Sequence, residues 1–200
     1  MNKFAKSITK DELNELPVKS FEGNIHVIDT KEKIIEAVKF LENQKVIGFD
    51  TETKPVFKKG QRNGVSILQL SSENDAFIFK LKLTKLPKSL KNILNSKEII
   101  KIGVAIKDDI IALKNISDFE PNSFIELQHY VKKFEIQNYS LQKLTAIVLG
   151  FKISKSKRLS NWESEILIES QLKYAATDAW ASLMVYKELY EFELIKDKSL

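Results

Sequence analysis

The run KVIGFDTE, residues 45–52, constrains the fold more than any other stretch of the chain. Val46, Ile47 and Phe49 make it apolar at neighbouring positions, which predicts a strand buried on both sides. Similar apolar runs predict strands at NIHVIDT, VSILQLSS, DAFIFKL and EIIKIGVAI, while SFIELQHYVKKFE reads as a strand passing into a helix. KEKIIEAVKFLEN predicts a helix with Ile34, Ile35, Val38 and Leu41 on one face, and LPKSLKNILNS and DDIIALKNI predict two more. SLQKLTAIVLG carries Ser140 as an N-cap and Gly150 as a terminator. From Glu165 to Glu193 the pattern is helical, with a break expected near Glu169 and Ser170. Strands cluster early and helices late, so the expected class is α/β or α+β around a mixed sheet.

Two hundred residues suit one folded domain, expected over residues 23–196, preceded by an arm over residues 1–22 with one short helical turn. Six Gly and four Pro leave no flexible linker, and no second domain is expected. The chain has no Cys, which excludes disulfides, thiolate zinc sites and Cys nucleophiles. A metal would therefore need carboxylates, His or water, and His26 and His129, far apart in sequence, read as structural. The opening residues have no signal-peptide core, and no run reaches the roughly 18 apolar residues of a membrane span. The expectation is a cytoplasmic protein with no membrane partner.

Asp50 and Glu52 close the apolar run at positions i and i+2, which a strand places on one face. Two like charges side by side are unfavourable unless a cation lies between them, although Asp50 could simply open a turn and Glu52 be solvated. In IGVAIKDDIIAL, Asp109 shares a helical face with Ala112, Leu113 and Ile116, so it is expected inward. Asp108 is expected to cap the helix; alternatively both are ordinary helix-start acids. In YAATDAWASLMVY, Asp178 is the only charge, on a face with Tyr174, Ala175, Ala181, Ser182 and Val185. A lone carboxylate there needs a metal, or else a Lys or backbone amide as partner. Four such acids suit hard divalent cations held through oxygen.

FDTET, GVAIKDDIIAL and YAATDAW resemble, in order, the three motifs of the DEDD superfamily of 3'-5' exonucleases. Tyr174, four residues before Asp178, resembles the mark of the tyrosine branch, which includes ribonuclease D-like enzymes; IGFDTETKPVFKKGQRNGVSILQL and RLSNW resemble the Werner-type exonuclease domain most. The resemblance implies a ribonuclease-H-like α/β fold, with a mixed five-stranded sheet flanked by helices. It implies two divalent metal ions, Mg2+ or Mn2+, with Asp50 bridging both. Glu52 and Asp178 would complete the shell of the first ion, Asp109 would hold the second, largely through water, and Tyr174 would orient the attacking water. The implied partner is a nucleic acid with a 3' end, shortened to 5'-mononucleotides.

Candidate nucleic-acid contacts are Thr51, Lys58, Lys59, Arg62, Ile111, Arg158 and Trp162. The net charge of +5 agrees with a polyanionic partner, but Arg62 and Arg158 are the only arginines, which argues against base-specific readout. Trp162 would stack on a base or, the favoured reading, anchor its loop. Ile111 stands where the Werner-type domain carries an aromatic, so any grip on the terminal base would be aliphatic. DNA is the favoured polymer, with RNA trimming, a catalytically silent binding module, and coincidental acids as the other readings.

Overall fold

The computed structural model describes residues 3–56 and 63–197. Its strands are β1 (Asn24–Ile28), β2 (Val46–Thr53), β3 (Val65–Ser71), β4 (Asp75–Lys80), β5 (Ile100–Gly103) and β6 (Phe124–Glu126). They form one mixed sheet in the order β1-β4-β3-β2-β5-β6. Where the resemblance implies five strands, the sheet has six among the described residues. The sixth, β6, is a three-residue edge pairing parallel to β5 through Ile102↔Ile125 and Gly103↔Glu126. It is the strand marked at the start of SFIELQ.

The helices are α1 (Lys10–Glu15), α2 (Lys31–Leu41), α3 (Leu81–Thr84), α4 (Lys88–Asn95), α5 (Ile106–Ile116), α6 (Leu127–Tyr130), α7 (Leu141–Leu149) and α8 (Glu169–Asp197). Among the described residues no helix is long and apolar enough to cross a membrane. α7 lies between Ser140, which holds the N-cap position without a side-chain hydrogen bond, and Gly150, whose φ of 72° is the left-handed stop expected of a terminating glycine. In α2 the inward face is Ile34, Ala37, Val38 and Leu41, while Ile35 is 66% exposed. The i, i+3, i+4, i+7 spacing selects Ala37, and Ile35 falls outside that stripe. α8 begins at Glu169, later than the expected Glu165, because the Gln171 Oε1 accepts from the Ile168 N–H and defines the first turn there.

Strand β2 lies inside the sheet, antiparallel to β3 and parallel to β5, and is covered on both faces. On one face Phe49, Leu68 and Leu70 pack with Ile34, Leu90, Ile93 and Leu113 of α2, α4 and α5. On the other, α8 crosses β2 and β3. Gly48 sets how closely it does so: a Cβ there would fall 1.9 Å from the Ala179 carbonyl oxygen. Only a glycine lets that helix backbone rest on the strand, and Asp178 is the residue beside the contact.

The N-terminal arm contains its expected helical turn, α1, held by a capping box between Thr9 and Glu12. It lies along the domain. Phe4 is buried against Phe134 and Phe192, and the Phe21 N–H donates to the Thr177 Oγ1 at 3.0 Å.

Candidate active site

Asp50 and Glu52 stand on the α8 face of β2, the face that Gly48 opens to the helix. Asp178 descends from α8 to meet them. Each of the three offers a carboxylate oxygen, and these oxygens lie within 4.8 Å of one another. Asp178 is 8% exposed. Burial, followed by the charges of Asp178, Glu52 and Asp109, raises Asp50 well above the usual carboxylate range. Burial and the charges of Asp178 and Asp109 push Glu52 up to about 8. Burial pushes Asp178 up to about 7 against the stabilising Tyr174 hydroxyl and Lys155. Three oxygens converging in a buried, mutually repelling cluster form the donor set that a hard divalent cation requires.

Asp109 arrives from α5, on the opposite side of the sheet. It lies outside the group of three, and its Oδ1 accepts from the Thr51 Oγ1 at 2.5 Å. Thr51 alternates with Asp50 and Glu52 along β2 and so faces α5, which brings the hydroxyl to Asp109. Burial raises Asp109 to about 6, Thr51 opposes the rise, and Asp108 and Glu126 add to it. The helical phase holds: Asp109 is half-buried and Asp108 exposed.

Asp108 does not cap the helix. The Glu126 carboxylate does, accepting from the Ala105 and Ile106 N–H groups at 2.9 Å each. Ala105 adopts a left-handed φ of 59° to turn both amides towards Glu126. Gly103, register partner of Glu126, leaves the room: a Cβ would meet Ile106 at 2.4 Å and the Phe49 carbonyl at 2.7 Å.

Tyr174 lies one helical turn before Asp178 and is 9% exposed. Burial and the charges of Asp178, Glu52 and Asp50 raise its hydroxyl far above the ordinary range, so it remains protonated. Trp162 is 1% exposed, its ring 5.9 Å from that of Tyr174 in a core with Ile67, Ile78 and Leu167. No face of the indole is open for base stacking, which corrects that reading in favour of anchoring. The indole N–H has no hydrogen bond of good geometry among the described residues, yet it faces Glu52 closely enough to favour the charged carboxylate.

Exposed Arg158 acts electrostatically on Glu52, and exposed Lys155 does the same on Asp178. Lys155 belongs to the basic loop KISKSKRLSNW, whose lysines the sequence offers as phosphate contacts together with Arg158. Ile111, two residues after Asp109, is 50% exposed. Lys58, Lys59 and Arg62 lie outside the described residues. His26 sits at the β1 edge, with its Nε2 2.8 Å from the Asp75 Oδ1.

A family model described as 3'-5' exonuclease matches residues 25–191. The Mus musculus bifunctional 3'-5' exonuclease/ATP-dependent helicase WRN is 39% identical over 150 residues, 72% of this chain and 11% of that protein. The chain spans 11% to 48% of the first curated relatives it matches. The solved Nibbler EXO domain of Aedes aegypti superposes with a TM-score of 0.77 at 26% identity, covering 87% of this chain and 92% of that one. Escherichia coli RNase D, an exoribonuclease involved in structured RNA processing, shares the fold. Its TM-score is 0.74 at 22% identity, over 86% of this chain and 46% of its own. By the match over residues 25–191 and the 39% identity with the WRN exonuclease/helicase, the chain belongs to the 3'-5' exonuclease family.

Proposed function

We propose that the protein is a metal-dependent exonuclease that removes 5'-mononucleotides from the 3' end of a nucleic acid strand, with DNA as the favoured polymer. The observation that carries this reading is the convergence of Asp50, Glu52 and Asp178 within 4.8 Å, beside an Asp109 tethered from the other face of the sheet. Asp50 would bridge two divalent ions, Mg2+ or Mn2+, with Glu52 and Asp178 on the first and Asp109 on the second. When bound, such ions activate water and neutralise charge on the leaving oxygen.

The remaining work falls to this chain's own groups. The protonated Tyr174 hydroxyl orients the attacking water beside Asp178. Lys155 and Arg158, both exposed and both acting electrostatically on the acids, would offer positive charge to substrate phosphates. Ile111 offers an aliphatic surface to the terminal base. Trp162 and the Lys54–Glu163 ion pair, 3.2 Å long, hold the loop that carries Arg158.

Likeness to the WRN exonuclease/helicase supports the DNA reading. RNA is the second reading, since the chemistry of the four acids is indifferent to a 2'-hydroxyl and ribonuclease D shares the fold. The test uses 5'-labelled DNA and RNA, single-stranded and recessed, with Mn2+, Mg2+ or chelator. A metal-dependent ladder shortening from the 3' end, faster on DNA, is expected. Faster shortening of RNA moves the substrate to RNA, and binding without shortening under any metal leaves a silent module.

A further inference from the structure

Gln69 stands at the centre of β3, directly opposite Asp50 in the antiparallel ladder. Residues so paired share one face, with Cβ atoms about 4.5–5.5 Å apart. Its side chain therefore leaves the sheet next to that of Asp50, on the face that α8 covers. The residue is 0% exposed, and neither its Oε1 nor its Nε2 has a hydrogen-bond partner among the described residues. Ile67 two residues before it and Ile78 opposite it on β4 are apolar, and the buried Ser71 two residues after it gives its hydroxyl to the Ser72 carbonyl at 2.7 Å.

An apolar side chain of the same length would suit such a place better, because a buried amide without partners destabilises the fold. The neighbour in need of a donor is Asp50. It stands directly across the ladder from Gln69, with carboxylate oxygens of Glu52 and Asp178 within 4.8 Å of its own. A carboxylate that bridges cations must also be held in one orientation, which a fixed N–H donor from outside the ligand set provides.

We propose that Gln69 is a positioning residue for Asp50: its amide donates to the Asp50 carboxylate in the ionised, cation-holding state and fixes its orientation between Glu52 and Asp178. The proposal rests on the metal-dependent reading above. Gln69 contacts neither the nucleic acid nor the attacking water, and acts through Asp50 alone.

The test compares wild type with Gln69→Leu and Gln69→Met. Three quantities are measured: the Tm of the chelator-treated protein, Mn2+ affinity by calorimetry, and kcat and KM on a single strand. The expected result is a split. The metal-free Tm rises by about 2–4 °C as the orphaned amide is removed. Mn2+ affinity and kcat fall by about 10–100-fold while KM for the strand is unchanged. Wild-type Mn2+ affinity and kcat in both variants overturn the proposal, as does a loss of activity accompanied by a lower metal-free Tm. Wild-type protein that neither binds Mn2+ nor shortens a strand overturns the underlying reading first, and the proposal with it.

Discussion

Thr51 donates a hydrogen bond to Asp109 and so ties the central strand to the helix on the far side of the sheet. The bond brings the fourth acid to a cluster that the other three form on the opposite face. Thr51 lies between Asp50 and Glu52 in sequence, so one strand presents acids to α8 and a hydroxyl to α5.

Replacing Thr51 by Val keeps the shape and removes the donor. Asp109 then rises further above about 6, because the bond that favours its charged form is gone. The expected outcome is a roughly tenfold fall in kcat and a higher Mn2+ requirement, both restored by Thr51→Ser. Equal rates in Thr51→Val and wild type across a Mn2+ titration contradict this.

The acid cluster also sets how stability depends on pH. In the metal-free protein Glu52, Asp178 and Asp109 titrate at about 8, 7 and 6, all above the roughly 4 of an unfolded chain. Between these limits the folded state binds more protons than the unfolded state, so stability falls as pH rises from about 4 to about 8. Chelator-treated protein should lose Tm across that window, and saturating Mn2+ should remove the slope. A flat profile without metal, or one of opposite sign, contradicts the cluster's electrostatics.

Gly48→Ala tests the approach of α8. The added Cβ collides with the Ala179 backbone, which cannot move without Asp178. A stability loss of about 1–3 kcal/mol is expected in urea unfolding. The accompanying displacement of the carboxylate should lower kcat by about 100-fold. A variant that folds with wild-type kcat shows that the helix contact does not position the site.

Lys101 provides a control away from the acids. Its side chain is 0% exposed, and its Nζ donates to the Ser96 and Ile99 carbonyls at 2.7 Å each. Lys101→Met keeps most of the packing and leaves those carbonyls without this donor. It should cost about 1–3 kcal/mol in denaturant unfolding while kcat is unchanged in the remaining folded protein. A fall in kcat with no loss of stability contradicts a purely structural lysine.

Local periodicity explains what was legible in the chain. Alternation along β2 places Asp50 and Glu52 on one face, and helical phase turns Asp109 inward and leaves Asp108 outside. The buried setting of Asp178 follows from its apolar helical surroundings. What was not legible depends on partners distant in the chain. Glu126 caps α5 across twenty residues, and Gln69 meets Asp50 only through the β2–β3 register. Neither pairing has a periodic signature. Gly48 left a usable signal, since a glycine inside an apolar strand marks a close backbone approach. The late start of α8 depends on one side-chain cap, which hydrophobic patterning does not register.

The central claim is that these carboxylates hold cations that drive hydrolysis at a 3' end. Its most direct measurement is the release of 5'-mononucleotides by wild type, Asp50→Asn and Asp178→Asn, each with Mn2+ and with chelator. The account predicts release by wild type in Mn2+ alone, and a fall of about three orders of magnitude or more in both variants. Hydrolysis that survives the chelator, or wild-type rates in either variant, would contradict it.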